Sequence, residues 1–170
     1  MKEEFFDIID ESGRPVGRTA PRSEVHGDPG LVHRSVHVLV LDRENRLFLQ
    51  KRSEDKDIQP GKWDSSVGGH VARGEEVFEA AEREMAEEIG VRGRKLEFMY
   101  SYIWRTEVET ELVTSYLCRY DGPFRTDPAE IEDGRFWSFG EIEKTLGSGV
   151  FTPNFEEEFV RLKELLEKAG

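Results

Sequence analysis

Between positions 76 and 88 the chain carries six glutamates, Glu76, Glu79, Glu82, Glu84, Glu87 and Glu88, against one arginine, Arg83. Val77, Ala81 and Met85 recur every fourth position through this stretch, the stripe of an amphipathic helix over residues 76 to 89. Gly90 follows where a C-terminal cap glycine belongs. On such a helix Glu84 faces Glu87 and Glu88, where like charges cost roughly 0.2–0.5 kcal/mol per pair. A solvated acidic face is the ordinary account of a glutamate-rich helix. The residues ahead of it favour another. Gly68 and Gly69 permit a tight backbone turn, and grouped carboxylates beside a free backbone carbonyl are the hard oxygen ligands Mg²⁺ prefers, with water and substrate phosphates completing its octahedron.

The surrounding composition agrees with a cation-dependent site. Asp and Glu number 36 against 24 Lys and Arg, a formal net charge of -12. That balance argues against a nucleic-acid face, which needs clustered cations, and against an anionic membrane surface. A phosphate substrate would need bound metal to reverse the local field. The one cysteine, Cys118, lies in an apolar run and suits a reducing compartment. No stretch approaches the roughly 20 apolar residues of a membrane span, and no cationic-then-apolar leader opens the sequence, so a cytoplasmic location is expected.

At 170 residues one α/β domain is expected over 1–170, with an N-terminal hairpin and lead-in over 1–34 and a C-terminal helix over 152–170. Residues 5 to 9 and 16 to 19 read as paired strands around a turn at 12 to 15, and residues 35 to 41 and 47 to 50 as a second hairpin. Residues 51 to 62 read as a loop and 63 to 67 as extended. Residues 96 to 104 and 112 to 120 form an antiparallel ribbon, and 135 to 139 a shorter strand. Thr152 caps the last helix, whose apolar face is Phe155, Phe159, Leu162 and Leu166. Tyr100, Tyr102, Trp104 and Phe136 could stack on a base, line a prenyl pocket or fill the core.

Residues 69 to 91 read GHVARGEEVFEAAEREMAEEIGV, which resembles the Nudix box G-x5-E-x7-R-E-U-x-E-E-x-G-U at every fixed position. The resemblance implies an α/β/α sandwich with a mixed sheet, the box serving as a loop-helix-loop that holds catalytic metal. It makes Glu84, Glu87, Glu88 and the Gly69 carbonyl ligands of Mg²⁺ or Mn²⁺, Arg83 a positioning partner for the carboxylates, and Glu75 a brace for the loop. Metal ions would then neutralise diphosphate oxygens and acidify a water, a carboxylate taking the proton. Glu88 is favoured as ligand or base, with Glu109, Glu111, Glu130 and Glu132 as alternatives.

From about Asp7 to Phe139 the chain is further similar to isopentenyl-diphosphate isomerases and the bacterial Nudix hydrolases that look like them. LFLQKRSEDKDIQPGKWDSSVGGHV carries the resemblance. It implies that Arg52 and Lys56 hold a diphosphate, and that His26, His33, His70, Glu109 and Glu111 hold a second divalent metal, with Glu111 also catalytic. His37 matches no ligand position and reads as an ordinary strand residue. Gly68 stands where the isomerases carry a catalytic cysteine. The expected function is therefore metal-dependent hydrolysis of a phosphoanhydride in a small nucleoside diphosphate derivative or related organic diphosphate, by a monomer or homodimer. Isomerisation and non-catalytic diphosphate binding are the alternatives.

Overall fold

The computed structural model describes residues 3–170; residues 1 and 2, at the head of the expected lead-in, lie outside the described residues. In chain order the elements are β1 Phe5–Ile9, β2 Pro15–Pro21, α1 Arg22–Val25, β3 Val32–Leu41, β4 Leu47–Arg52, β5 Trp63–Asp64, β6 Val67–His70, α2 Val77–Ile89, β7 Glu97–Arg105, β8 Thr110–Arg119, β9 Ile131–Trp137, α3 Phe139–Thr145 and α4 Pro153–Ala169. Among the described residues nine strands make one mixed sheet.

Strand β3 organises the sheet. It runs parallel to β8 for ten residues, from Val32 against Thr110 to Leu41 against Arg119. On its other edge it pairs antiparallel with β6, setting His37 opposite Gly68 and Val36 opposite Gly69. Alternation along β3 then sorts its side chains between two layers. Val36, Val38 and Val40 pack with Ala80, Ala81, Met85 and Ile89 of α2. Leu39 and Leu41 pack with Phe155, Phe159 and Leu162 of α4 and Ile142 of α3. The result is the expected α/β/α arrangement, and it puts His33, Ser35 and His37 on the α4 face.

Both long helices begin and end on their sequence signals. Helix α2 opens with a capping box between Glu76 and Glu79 and closes on Gly90 in the left-handed region, at φ 68°. Thr152 caps α4, its hydroxyl accepting from Phe155 N.

Three expectations are corrected. The strand expected over 135 to 139 is β9, which ends at Trp137, because Ser138 and Glu141 form a capping box that starts α3 at Phe139. The extended run expected over 63 to 67 is split, since the Ser66 hydroxyl bonds Phe48 O and Val40 N and so turns the chain between β5 and β6. Gly69 and His70 consequently belong to a strand, so the box starts in the sheet rather than in a loop. The loop expected over 51 to 62 loses its first two residues to β4.

Candidate active site

Strand β6 places Gly69 toward α2. A Cβ on Gly69 would stand 2.2 Å from the Glu84 carboxyl carbon, so only glycine lets that carboxylate rest against the backbone. Arg83 ties the cluster together. Its Nε and Nη2 donate to the two oxygens of Glu75 at 2.8 and 3.0 Å, Nη1 donates to Glu84 at 2.8 Å and to Glu87 at 3.3 Å, and Nη2 also donates to the His70 carbonyl at 2.9 Å. Glu75 in turn accepts from Ala72 N at 3.0 Å, which fixes the turn before the helix.

Glu88 is reached from β4, where Gln50 Nε2 donates to it at 2.7 Å and to the Ser66 carbonyl at 3.0 Å. Its oxygen also lies 3.5 Å from Gly68 N. Burial pushes the Glu88 carboxyl well above the usual range, and the neighbouring Glu84 charge adds to this. Burial raises Glu84 as well, although Glu88 and Arg83 oppose the shift. Two half-buried carboxyls that resist ionising together are suited to a divalent cation, whose binding would displace a proton held between them.

The second cluster lies on the α4 face. His26, His33, His70 and Glu109 each offer a ligand atom within 4.8 Å of all the others. His33 is fully buried, and among the described residues neither of its ring nitrogens has a hydrogen-bond partner; His26 Nε2 and Glu109 Oε2 are likewise buried and unpaired there, although they approach to 3.0 Å. Such orphaned atoms are costly unless something absent from the coordinates satisfies them. Burial drives the His33 pKa down to about 4 and the His70 pKa down to about 3, so both rings are neutral and able to coordinate. Among the described residues Glu111 falls outside this group. Its carboxyl is pushed up to about 7 by burial and by the adjacent Glu109 charge. Burial opposes the Glu109 charge, but the close approach of His26 and the neighbouring Glu111 and His33 hold it down to about 2.

The expected phosphate grips already have carboxylate partners. Arg52 lies 3.4 Å from Asp64, and Lys56 pairs with Glu130. Glu132 pairs with Lys51 at 3.4 Å on the exposed rim. Tyr102 is buried and Phe136 packs against Phe48 and Phe124.

His37 is not the ordinary strand residue its position suggests. Its Nδ1 lies 2.7 Å from Glu158 of α4, a fully buried carboxylate that also accepts from Ser115 Oγ at 2.9 Å and from the Tyr102 hydroxyl. The two partners are 121 residues apart. Only the oddity of a glutamate on the apolar side of α4, between Phe155 and Leu162, signals the pair in the sequence.

Known proteins resemble this arrangement at several levels. The NUDIX domain family matches residues 31–155. Nudix hydrolase 3 of Arabidopsis thaliana is 42% identical over 111 residues, which cover 65% of this chain; the chain spans only 14% of that protein's length. An isopentenyl-diphosphate Delta-isomerase of Nocardia farcinica is 35% identical over 156 residues, covering 86% of this chain and 87% of its own. A crystal structure from Deinococcus radiodurans matches with a TM-score of 0.80 over 93% of this chain and 98% of its own, and at 23% identity it speaks for the fold alone.

Proposed function

The chain belongs to the Nudix family of hydrolases, and from that premise we propose that it adds water across the phosphoanhydride of a small nucleoside diphosphate derivative or related organic diphosphate. Mg²⁺ or Mn²⁺ would be held by Glu84, Glu87, Glu88 and the Gly69 carbonyl. The observation that carries this reading is the half-buried Glu84–Glu88 pair set against Gly69, where a Cβ would stand 2.2 Å from the Glu84 carboxyl carbon. When bound, a divalent ion supplies positive charge to the diphosphate oxygens and acidifies water.

The protein's own groups do the rest. Arg83 keeps the carboxylates apart and aimed, and Glu88, whose ionisation burial opposes, is the favoured proton acceptor. Glu111 of β8, near neutrality at about 7, is an alternative base. Arg52 and Lys56 sit on the rim, where exchange of Asp64 and Glu130 for substrate phosphates would cost little, because exposed pairs are worth at most about 1 kcal/mol. His26, His33, His70 and Glu109 would hold a second divalent ion, with imidazole and carboxylate suiting Zn²⁺ or Mn²⁺ as well as Mg²⁺.

The test is release of hydrolysis products, phosphate or pyrophosphate from nucleoside di- and triphosphates and prenyl diphosphates and two phosphomonoesters or nucleotides from nucleotide sugars and dinucleotides, with Mg²⁺ and with Mn²⁺. Metal-dependent turnover of at least one compound is expected. In Glu87→Gln and Glu88→Gln, kcat should fall by about a hundredfold or more with the fold intact. Absence of release across the panel, or unchanged turnover in both variants, would remove the reaction from the box. Isomerisation of isopentenyl diphosphate is the competing activity, and solvent deuterium entering that compound in a Glu111-dependent way would install it instead.

A further inference from the structure

Helix α4 does not need a charge to hold the sheet, because Phe155, Phe159 and Leu162 already bury its inner face. Replacing a buried ion pair with apolar residues is often neutral or stabilising. Glu158 nevertheless sits fully buried among polar groups. Tyr102 and Ser115 donate to it as neutral hydroxyls, and His37 is its only ion-pair partner among the described residues. A buried carboxylate with one basic neighbour holds that neighbour protonated, and both nitrogens of an imidazolium are donors. Burial opposes the ring's charge, but the Glu158 field and hydrogen bond outweigh it and raise the His37 pKa to about 9, with smaller help from Asp64 and Glu111.

Nδ1 is engaged by Glu158, whereas Nε2 has no partner among the described residues and is not among the sealed unpaired atoms. The ring keeps 13% exposure. It opens over Gly68, where an added Cβ would lie 3.2 Å from the ring Cδ2 and 3.4 Å from Nε2. The amide of the same glycine lies 3.5 Å from Glu88. A single residue without a side chain thus separates a cationic donor from the box carboxylates. That gap suits an anion with room to approach backbone on one side and a proton donor on the other.

We propose that His37 binds substrate, its Nε2–H donating to a phosphate oxygen of a diphosphate lying over Gly68, with Glu158 as the positioning residue that fixes the ring. The inference rests on the hydrolase reading for the identity of the ligand as a diphosphate.

The test uses methylenediphosphonate, a non-hydrolysable diphosphate, with Mg²⁺ and the full chain. In wild type, nitrogen-15 NMR of the imidazoles should show His37 protonated at both nitrogens, with the Nε2 signal moving as the probe saturates. By calorimetry, His37→Gln and Glu158→Gln should each weaken probe binding roughly tenfold, the size of a lost charge-assisted hydrogen bond. With a turned-over substrate they should raise KM more than they lower kcat. An Nε2 signal unmoved at saturation, equal affinity in wild type and His37→Gln, or no binding of the probe overturns the proposal. Neither readout requires turnover. A chain that engages the probe through His37 yet cleaves no diphosphate of the panel would instead overturn the hydrolase reading.

Discussion

His33 and His37 lie four residues apart on one face of β3, and their surroundings leave one neutral and the other cationic. His33 is fully buried among His26, His70 and Phe6, with both nitrogens unpaired and a pKa driven down to about 4 by burial. His37 is also largely buried, keeping 13% exposure, but it faces Glu158, and its pKa rises to about 9. Burial acts on both rings in the same direction. The difference is the partner: a committed carboxylate makes His37 a cation, whereas Glu109 shared among three imidazoles leaves His33 neutral. The cationic ring of His37 can donate from both nitrogens, whereas the neutral ring of His33 keeps one nitrogen lone pair free for a metal.

The largest expected effect tests that last statement. The double variant His33→Asn/His70→Asn should lose one tightly held transition metal per chain in elemental analysis of purified protein, while His37→Asn keeps it. Equal metal content in wild type and the double variant would make the three histidines structural and dissolve the contrast.

The next effect concerns the pair. Glu158→Leu leaves an imidazole, two hydroxyls and the uncompensated cost of their burial, and should lower unfolding free energy by roughly 3 kcal/mol in urea titrations. His37→Leu/Glu158→Leu should recover at least half of that, because two apolar residues suit the site beside Phe155 and Phe159 better than one orphaned ion. If the double variant is no more stable than the single, the pair is a stability element and its claim on substrate weakens.

The contrast also measures what the sequence discloses. Periodicity gave α2, α4 and both hairpins, because each apolar stripe is a local pattern closed by local caps at Gly90 and Thr152. The box carboxylates were legible for the same reason, since Glu84, Glu87 and Glu88 share one turn of helix. His26, His33, His70 and Glu109 were legible only through a resemblance, and the sheet is what gathers them. His37 was misread because its partner lies 121 residues on, and a lone strand histidine carries no sign of the charge it will meet. Helix α3 was legible and overlooked: Ser138-Phe139-Gly140-Glu141 is a capping-box pattern that the preceding strand obscured.

The smallest effect is the most direct comparison of the two rings, in the pH dependence of metal-free stability. His33 has a folded pKa of about 4 against a reference of 6.5, so between these values the unfolded chain binds more protons. Its contribution is therefore present above about pH 6.5 and is lost as pH falls toward 4. His37 has the opposite sign. With a folded pKa of about 9 against the same reference, the folded chain holds the extra proton, and its contribution is full below about pH 6.5 and lost as pH rises through 9. Each limb should amount to on the order of 1–2 kcal/mol. His70, with a folded pKa of about 3, adds to the acid limb, so the diagnostic quantity is the difference from wild type. Urea titrations of chelator-treated protein from pH 4 to 9.5 should show His33→Asn flattening the acid limb only, whereas His37→Gln flattens the alkaline limb and also changes the acid limb through Glu158, whose carboxyl His37 holds below the usual range. Should His33→Asn alter the alkaline limb, the two histidines are coupled through β3 and form one electrostatic site rather than two.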